Sequence, residues 1–134
     1  MKIVELNKQQ ISELEDALEA YDEAHITYSQ DGRISIGIEK DGAIVAGLDA
    51  CMTAFKILYV STVFVREDYR RKGYGKKLIT EMEKRAVSLG ANTIRLDTFG
   101  YQGKDFYLAM GYEEVGFYKN ETDKYEEYFF LKRI

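Results

Sequence analysis

The chain has 134 residues, 46% hydrophobic and 31% charged, with a formal net charge of −4. That length favours one domain spanning 1–134, and the acidic total argues against a general nucleic-acid binder while mildly favouring cationic or neutral substrates. No apolar run approaches the roughly 20 residues of a membrane span, the opening MKIVELNKQQ lacks a signal-peptide core, and one cysteine and one histidine exclude an internal disulfide and make a protein-ligated zinc unlikely, so a reducing cytoplasm without a metal is the expected setting.

Lys2–Leu6 alternates weakly and predicts an edge strand. Asn7 can cap a helix whose Ile11, Leu14, Leu18 and Tyr21 form one stripe. His25 to Gly32 reads as a connection. RISIGIEK puts Ile34, Ile36 and Ile38 on one face, and Asp41-Gly42 supplies a tight hairpin turn into AIVAGLDACMTAF. KILYVSTVFV is apolar enough for a central strand, and REDYRRKGYG follows as a loop. Leu78, Ile79, Met82, Ala86 and Leu89 then share a helix face, with Gly90 at the C-terminal cap. NTIRLDTF predicts a strand, GKDFYLAMG a short helix ending at Gly111, and YEEVGFYKN and KYEEYFFLKRI two last strands. The expected order is β-α-β-β-β-α-β-α-β-β. The fold class is α/β (α+β), with a mixed sheet of six to seven strands and three to four helices.

The segment RRKGYGKK gathers Arg70, Arg71, Lys72, Lys76 and Lys77 around Gly73 and Gly75, between a strand and a helix. The first N–H groups of a helix lack intrahelical partners and sit at the positive end of its dipole. Glycine there lets backbone approach a ligand, so the segment is suited to cradle a phosphate or pyrophosphate. It is not a GxxxxGK[ST] loop, and Lys77-Leu78 stand where a dinucleotide fingerprint needs its third glycine.

Arg70-x-x-Gly73-x-Gly75 resembles the Q/R-x-x-G-x-G/A motif of the GNAT superfamily of acyl-CoA-dependent N-acyltransferases. The preceding VREDYR, the helix ending in glycine, the strand TIRLDTF, the pair Phe106-Tyr107 and the pair Gly111-Tyr112 follow the family's order. LDTFGYQGKDFYLAMGYEEVG is similar to a small bacterial subfamily reading LDTFSFQAPxFYxxxGY, with Gly103-Lys104 in place of Ala-Pro. The resemblance runs from about Val63 to Ile134 and is weaker over the first 50 residues.

The resemblance implies a GNAT-like domain with a splayed sheet, acetyl-CoA as donor and a primary amine as acceptor, either a small molecule or a peptide amine. It implies donor contacts from Phe64, Val65, Arg70, Arg71, Lys72, Gly73, Tyr74, Gly75 and Lys76, with weaker ones from Gln102 and Lys104. The Val65 N–H would polarise the thioester carbonyl, and Tyr107 would be the general acid at the CoA sulfur. The strand before the glycine loop holds no carboxylate, so Asp49 and Asp97 are the available bases, with a water chain as the alternative. Cys51 reads as inert core rather than an acyl carrier, and His25 has no catalytic neighbours. The rival readings are a non-catalytic acyl-CoA-binding or regulatory module and a protein N-terminal or lysine acetyltransferase. Either a monomer or a homodimer fits, the dimer through the C-terminal strands.

Overall fold

The computed structural model describes residues 1–26 and 31–134. In chain order the elements are α1 (Lys8–Glu23), β1 (Arg33–Lys40), β2 (Ala43–Met52), β3 (Ile57–Val65), a single 3-10 turn over Glu67–Tyr69, α2 (Tyr74–Ser88), β4 (Thr93–Phe99), α3 (Lys104–Ala109), β5 (Glu113–Asn120) and β6 (Tyr125–Arg133). The six strands form one sheet in the order β1-β2-β3-β4-β6-β5. Only β3 and β4 run parallel; the other neighbours are antiparallel. The sheet is therefore mixed, and the described residues hold six strands and three helices.

Local chemistry explains most boundaries. The Asn7 side chain accepts from the Gln10 N–H while the Gln10 side chain accepts from the Asn7 N–H, closing a capping box at the start of α1. Asp41 and Gly42 both take positive φ, 51° and 80°, as a two-residue hairpin loop between antiparallel strands requires. Gly90, at φ 91°, follows the last turn of α2. The predicted edge strand at Lys2–Leu6 is absent. Those residues are exposed and belong to none of the six strands. Part of the predicted connection from His25 to Gly32, residues 27–30, lies outside the described residues.

The core lies on one face of the sheet. Leu78, Ile79, Met82 and Ala86 of α2 meet Ile34, Leu48, Leu58, Val60, Ile94, Leu96 and Phe130 from the strands, and Tyr107 of α3 joins the same cluster. Lys132 of β6 fastens both helices to the sheet. Its Nζ donates to Glu83 at 2.8 and 3.0 Å and to the Met110 carbonyl at 2.9 Å. Helix α1, by contrast, buries none of its residues.

The feature that shapes the site is a β-bulge in β3. Asp49 of β2 pairs with Thr62 and Ala50 pairs with Val60, so Ser61 is the extra residue. A bulge bends its strand and sharpens its twist. The parallel ladder with β4 stops at this level, after only Ile57↔Thr93, Leu58↔Ile94 and Tyr59↔Arg95. Beyond it, β3 stays on β2 as far as Val65, and β4 stays on β6 as far as Phe99. The two strands part and leave a V-shaped opening between their facing edges.

Ile79 is wholly buried beneath α2. Ile79→Ala should cost about 2–5 kcal/mol, the usual range for such a truncation. Denaturant unfolding should show a lower midpoint at unchanged m-value. A loss under about 1 kcal/mol would mean that the α2–sheet contact is not the dense core described.

Candidate active site

The opening between β3 and β4 exposes backbone on both sides. The Arg66 N–H donates to the Val45 carbonyl across the β2 side at 2.9 Å. A trans peptide points the preceding carbonyl the opposite way, so the Val65 C=O faces the opening. In extended backbone the Val65 N–H lies on that same side. The Val65 carbonyl accepts from Arg70 Nε at 2.9 Å, and the Arg70 guanidinium also stands 5.5 Å from the centre of the Phe64 ring. Arg70 is thus held at the mouth of the opening by its own strand.

The start of α2 lies beside it. Gly73 is the N-cap, at φ 80°, and has no side chain to cap the helix. Intrahelical bonding into this cap begins with the Lys77 N–H to the Gly73 carbonyl at 3.1 Å. The N–H groups of Tyr74, Gly75 and Lys76 therefore have no side-chain cap, and the helix dipole adds partial positive charge there. Arg71 also takes a positive φ of 61°, which turns the loop sharply into the helix. The Lys72 ammonium lies 5.4 Å from the Tyr69 ring centre. Gly73 and Gly75 serve different needs. A Cβ at Gly73 would meet nothing within 4 Å, so its requirement is conformational. A Cβ at Gly75 would lie 3.3 Å from two atoms of the Phe106 ring and 4.0 Å from Val65 Cγ2, so its requirement is close packing.

That contact brings α3 to the site. Phe106 lies between the first turn of α2 and Tyr107, whose ring it meets edge-on. Tyr107 is 8% exposed and also packs on Tyr112 and Phe130. Its ring edge reaches Gly103 at the start of α3, next to Thr98 near the end of β4. Among the described residues its hydroxyl has no hydrogen-bond partner. Burial pushes the phenol up to about 12. It stays protonated across the neutral range and can donate.

The remaining candidates are distributed unevenly. Asp49 lies on the opposite face of the sheet from α2, where Arg33 grips it with bonds of 3.0 and 2.6 Å and the Ser35 hydroxyl donates at 2.6 Å. These bonds, Arg33's first, hold its carboxyl down to about 2. It is a stable anion and correspondingly a poor proton acceptor. Asp97 is exposed on β4. The Gln102 side-chain oxygen accepts from the Phe99 N–H at 2.8 Å, closing the turn after β4. Lys104 projects over the Tyr128 ring at 4.4 Å. Cys51 is free and half-buried on β2, and His25 sits at the end of α1, bonded to the Tyr21 carbonyl.

Sequence reasoning missed the bulge at Ser61, the packing of Phe106 against Gly75 and the Arg33 clamp. Ser61 left a trace. The core-facing residues of β3 are spaced two apart at Leu58 and Val60, then three apart to Val63, then two to Val65. The clamp depends on strand register, with Arg33 opposite Cys51 and Ser35 opposite Asp49, and left none.

Comparison with known proteins agrees with this geometry. A crystal structure of an acetyltransferase from Bacillus cereus matches with a TM-score of 0.93 at 26% identity, covering 100% of this chain and 98% of that one. An aminoglycoside 6′-N-acetyltransferase complexed with coenzyme A shares the fold, with a TM-score of 0.66 at 18% identity and coverage of 99% and 97%. Among curated proteins, L-ornithine N5-acetyltransferase NATA1 of Arabidopsis thaliana is 40% identical over 55 residues, a stretch that spans 40% of this chain and 24% of that protein. The model of the Acetyltransferase (GNAT) family matches residues 2–112, which is most of the chain and includes the glycine loop, the parted strands and α3, and so the chain belongs to that family.

Proposed function

We propose that the protein transfers an acetyl group from acetyl-CoA to a primary amine by direct attack on the thioester. The observation that carries this reading is the parting of β3 from β4 beside an uncapped, glycine-bearing helix start. The pyrophosphate of the donor sits against the N–H groups from Lys72 to Lys76, with Arg70, Arg71, Lys72 and Lys76 adding attraction. The pantetheine amides pair with the backbone that faces the opening at Val65, displacing Arg70 from its carbonyl, whereas the peptide groups of Phe64 turn toward Gly47 of β2. The donor then approaches from the α2–α3 side, which leaves the opposite sheet face, with Asp49 and Phe64, for the amine.

The amine nitrogen attacks the carbonyl carbon, and the Val65 N–H holds the developing oxyanion. The C–S bond breaks as the tetrahedral intermediate collapses. The sulfur takes its proton from the Tyr107 hydroxyl, and the nitrogen loses its own. With Asp49 held ionised by Arg33, that last proton passes to water, or to Asp97 on the same sheet face. The relative acting on L-ornithine and the acidic balance of the chain support a cationic amine acceptor. A screen of amines with acetyl-CoA, read by release of free thiol, tests the reading. Donor binding without thiol release across small amines and peptides would favour an acyl-CoA-binding module.

Gly73→Val tests the cradle. The new side chain has space, but its backbone is forced into a left-handed conformation costing about 1–2 kcal/mol. Relief of that strain shifts the loop, so calorimetry should show acetyl-CoA binding at least about tenfold weaker. Unchanged affinity in a folded variant removes the cradle from the mechanism.

Tyr107→Phe tests the acid. The ring and its packing remain, so stability and acetyl-CoA affinity should hardly change. The turnover number should fall by about 10²-fold, the low end for a positioned acid, because a thiolate leaves fairly well unaided. The wild-type profile should show no alkaline loss from this group until pH nears its pKa of about 12. Wild-type turnover in the variant, with chemistry rate-limiting, would make Tyr107 a core residue only.

A further inference from the structure

Helix α1 carries a well-formed apolar stripe with no core beneath it. Ile11, Leu14, Leu18 and Tyr21 are 43, 58, 60 and 65% exposed, and Ile3, Val4 and Leu6 ahead of them are exposed as well. A lone helix of 16 residues is marginal in water, and a contiguous apolar patch of this kind marks an interface. The rest of the helix is acidic. Glu13, Glu15, Asp16, Glu19, Asp22 and Glu23 face only Lys8 as a counter-charge within it.

The body of the protein has a surface that fits this helix. Helices α2 and α3 cover one face of the sheet. On the other face of β1, β2 and β3 lies an open depression of about 590 Å³, lined by Gly37, Ile44, Gly47, Thr62 and Phe64 among others. Ile44 and Phe64 are each 57% exposed, and the two glycines leave room for close approach. Charges of both signs surround it, with Asp49 in its lining and Asp97 exposed on the same sheet face. Arg66 lines the depression, Arg33 stands on β1, and Arg95 lies over the Tyr59 ring on the same face. Arg33 is taken up by Asp49, so Arg66 and Arg95 are the cations left to meet the helix's carboxylates, and the match is chiefly one of apolar stripe to apolar trough.

The chain's own α1 does not lie in that trough. The Bacillus cereus crystal structure superimposes over the whole chain with a TM-score of 0.93. Residues 1–26 are too large a share of 134 for that score unless its N-terminal helix stands off the body in much the same place. A helix held away from its own core and a face left open on that core are satisfied together by a two-fold exchange, in which each copy uses the same two surfaces.

We propose that two copies of this chain exchange their N-terminal helices, each laying the Ile11–Leu14–Leu18–Tyr21 stripe across the other's β1–β2–β3 face beside Phe64. On the proposed acetyl-transfer reading, the partner's helix then walls the amine side of the site, while each donor cleft remains within one chain. The purified protein should sediment at twice its chain mass of 15.5 kDa. The double variant Leu14→Asp/Leu18→Asp should raise the dimer dissociation constant by about 100-fold or more. Circular dichroism checks that it is folded, and calorimetry should show acetyl-CoA binding retained.

Cross-linking fixes the surface. A Leu18→Cys/Cys51→Ser chain is mixed with wild-type chain, whose only thiol is Cys51, and treated with a long bis-maleimide. An 18–51 link between the two chains, identified by mass spectrometry, is the expected product. A monomer at all concentrations, or a dimer unaffected by the double variant, overturns the proposal. So does a Leu18→Cys chain that links to its own Cys51 and not to a partner's, since the helix would then fold back on its own sheet. These readouts are mass and connectivity, so they stand or fall separately from acetyl transfer.

Discussion

The single extra residue at Ser61 governs the rest of the molecule. It bends β3 at the level where the parallel ladder with β4 ends, and the sheet opens from there. An opening within a sheet is costly, because each strand edge forfeits bonds worth about 1 kcal/mol apiece and must be satisfied some other way. Here each half of the sheet holds its own strand. β3 is secured by β2 and β4 by β6, so the fold tolerates the gap. Arg70 partly fills it by donating to the Val65 carbonyl. A ligand with amides of its own can satisfy the edges more fully, and that is the property an extended pantetheine chain supplies in the proposed reading.

The same bend explains why α2 begins where it does. The chain leaves the end of β3, makes one 3-10 turn and needs two positive φ values within three residues, at Arg71 and Gly73, to enter the helix. That route directs the first turn of α2 back against Val65 and Phe106, close enough that Gly75 admits no side chain without displacing the Phe106 ring. Strand edge, helix N-terminus and the aromatic pair of α3 are therefore assembled by one piece of local geometry. Charge is separated along with it. Cations gather around the helix start, whereas Asp49 and Asp97 lie on the opposite sheet face.

The sequence was most informative where one residue type answers one local need. Asn7, Asp41-Gly42 and the α2 stripe through Leu78, Ile79, Met82 and Ala86 all took the conformations expected of them. The family motif led to the glycine loop, although it assigned both glycines to ligand approach when Gly75 also answers to Phe106. Lys2–Leu6 has strand-like alternation but pairs with no strand of the sheet. The stripe on α1 was read correctly as a helix face. Periodicity says that such a face will be buried, but it does not say against which surface or in which copy of the chain. The Arg33–Asp49 clamp depends on cross-strand register, which composition and spacing do not encode.

In the proposed mechanism Tyr107 is a site residue hidden inside a core pattern. Its ring is wedged among Phe106, Tyr112 and Phe130, which is the environment of any structural aromatic. That burial is also what raises the phenol to about 12 by penalising the charged form. A neutral phenol pays nothing for this at physiological pH, so burial and proton donation do not compete. The energetic burden falls instead on the moment when the proton leaves. A thiol has a pKa of about 8.5, so full transfer from a phenol near 12 to the departing thiolate is uphill. An acid of that kind lowers the barrier by a hydrogen bond that tightens as charge grows on sulfur, more than by full transfer ahead of bond breaking. In the proposed mechanism the aromatic packing is therefore part of the catalytic apparatus, because it holds the hydroxyl neutral and fixed while the charge it serves is still developing.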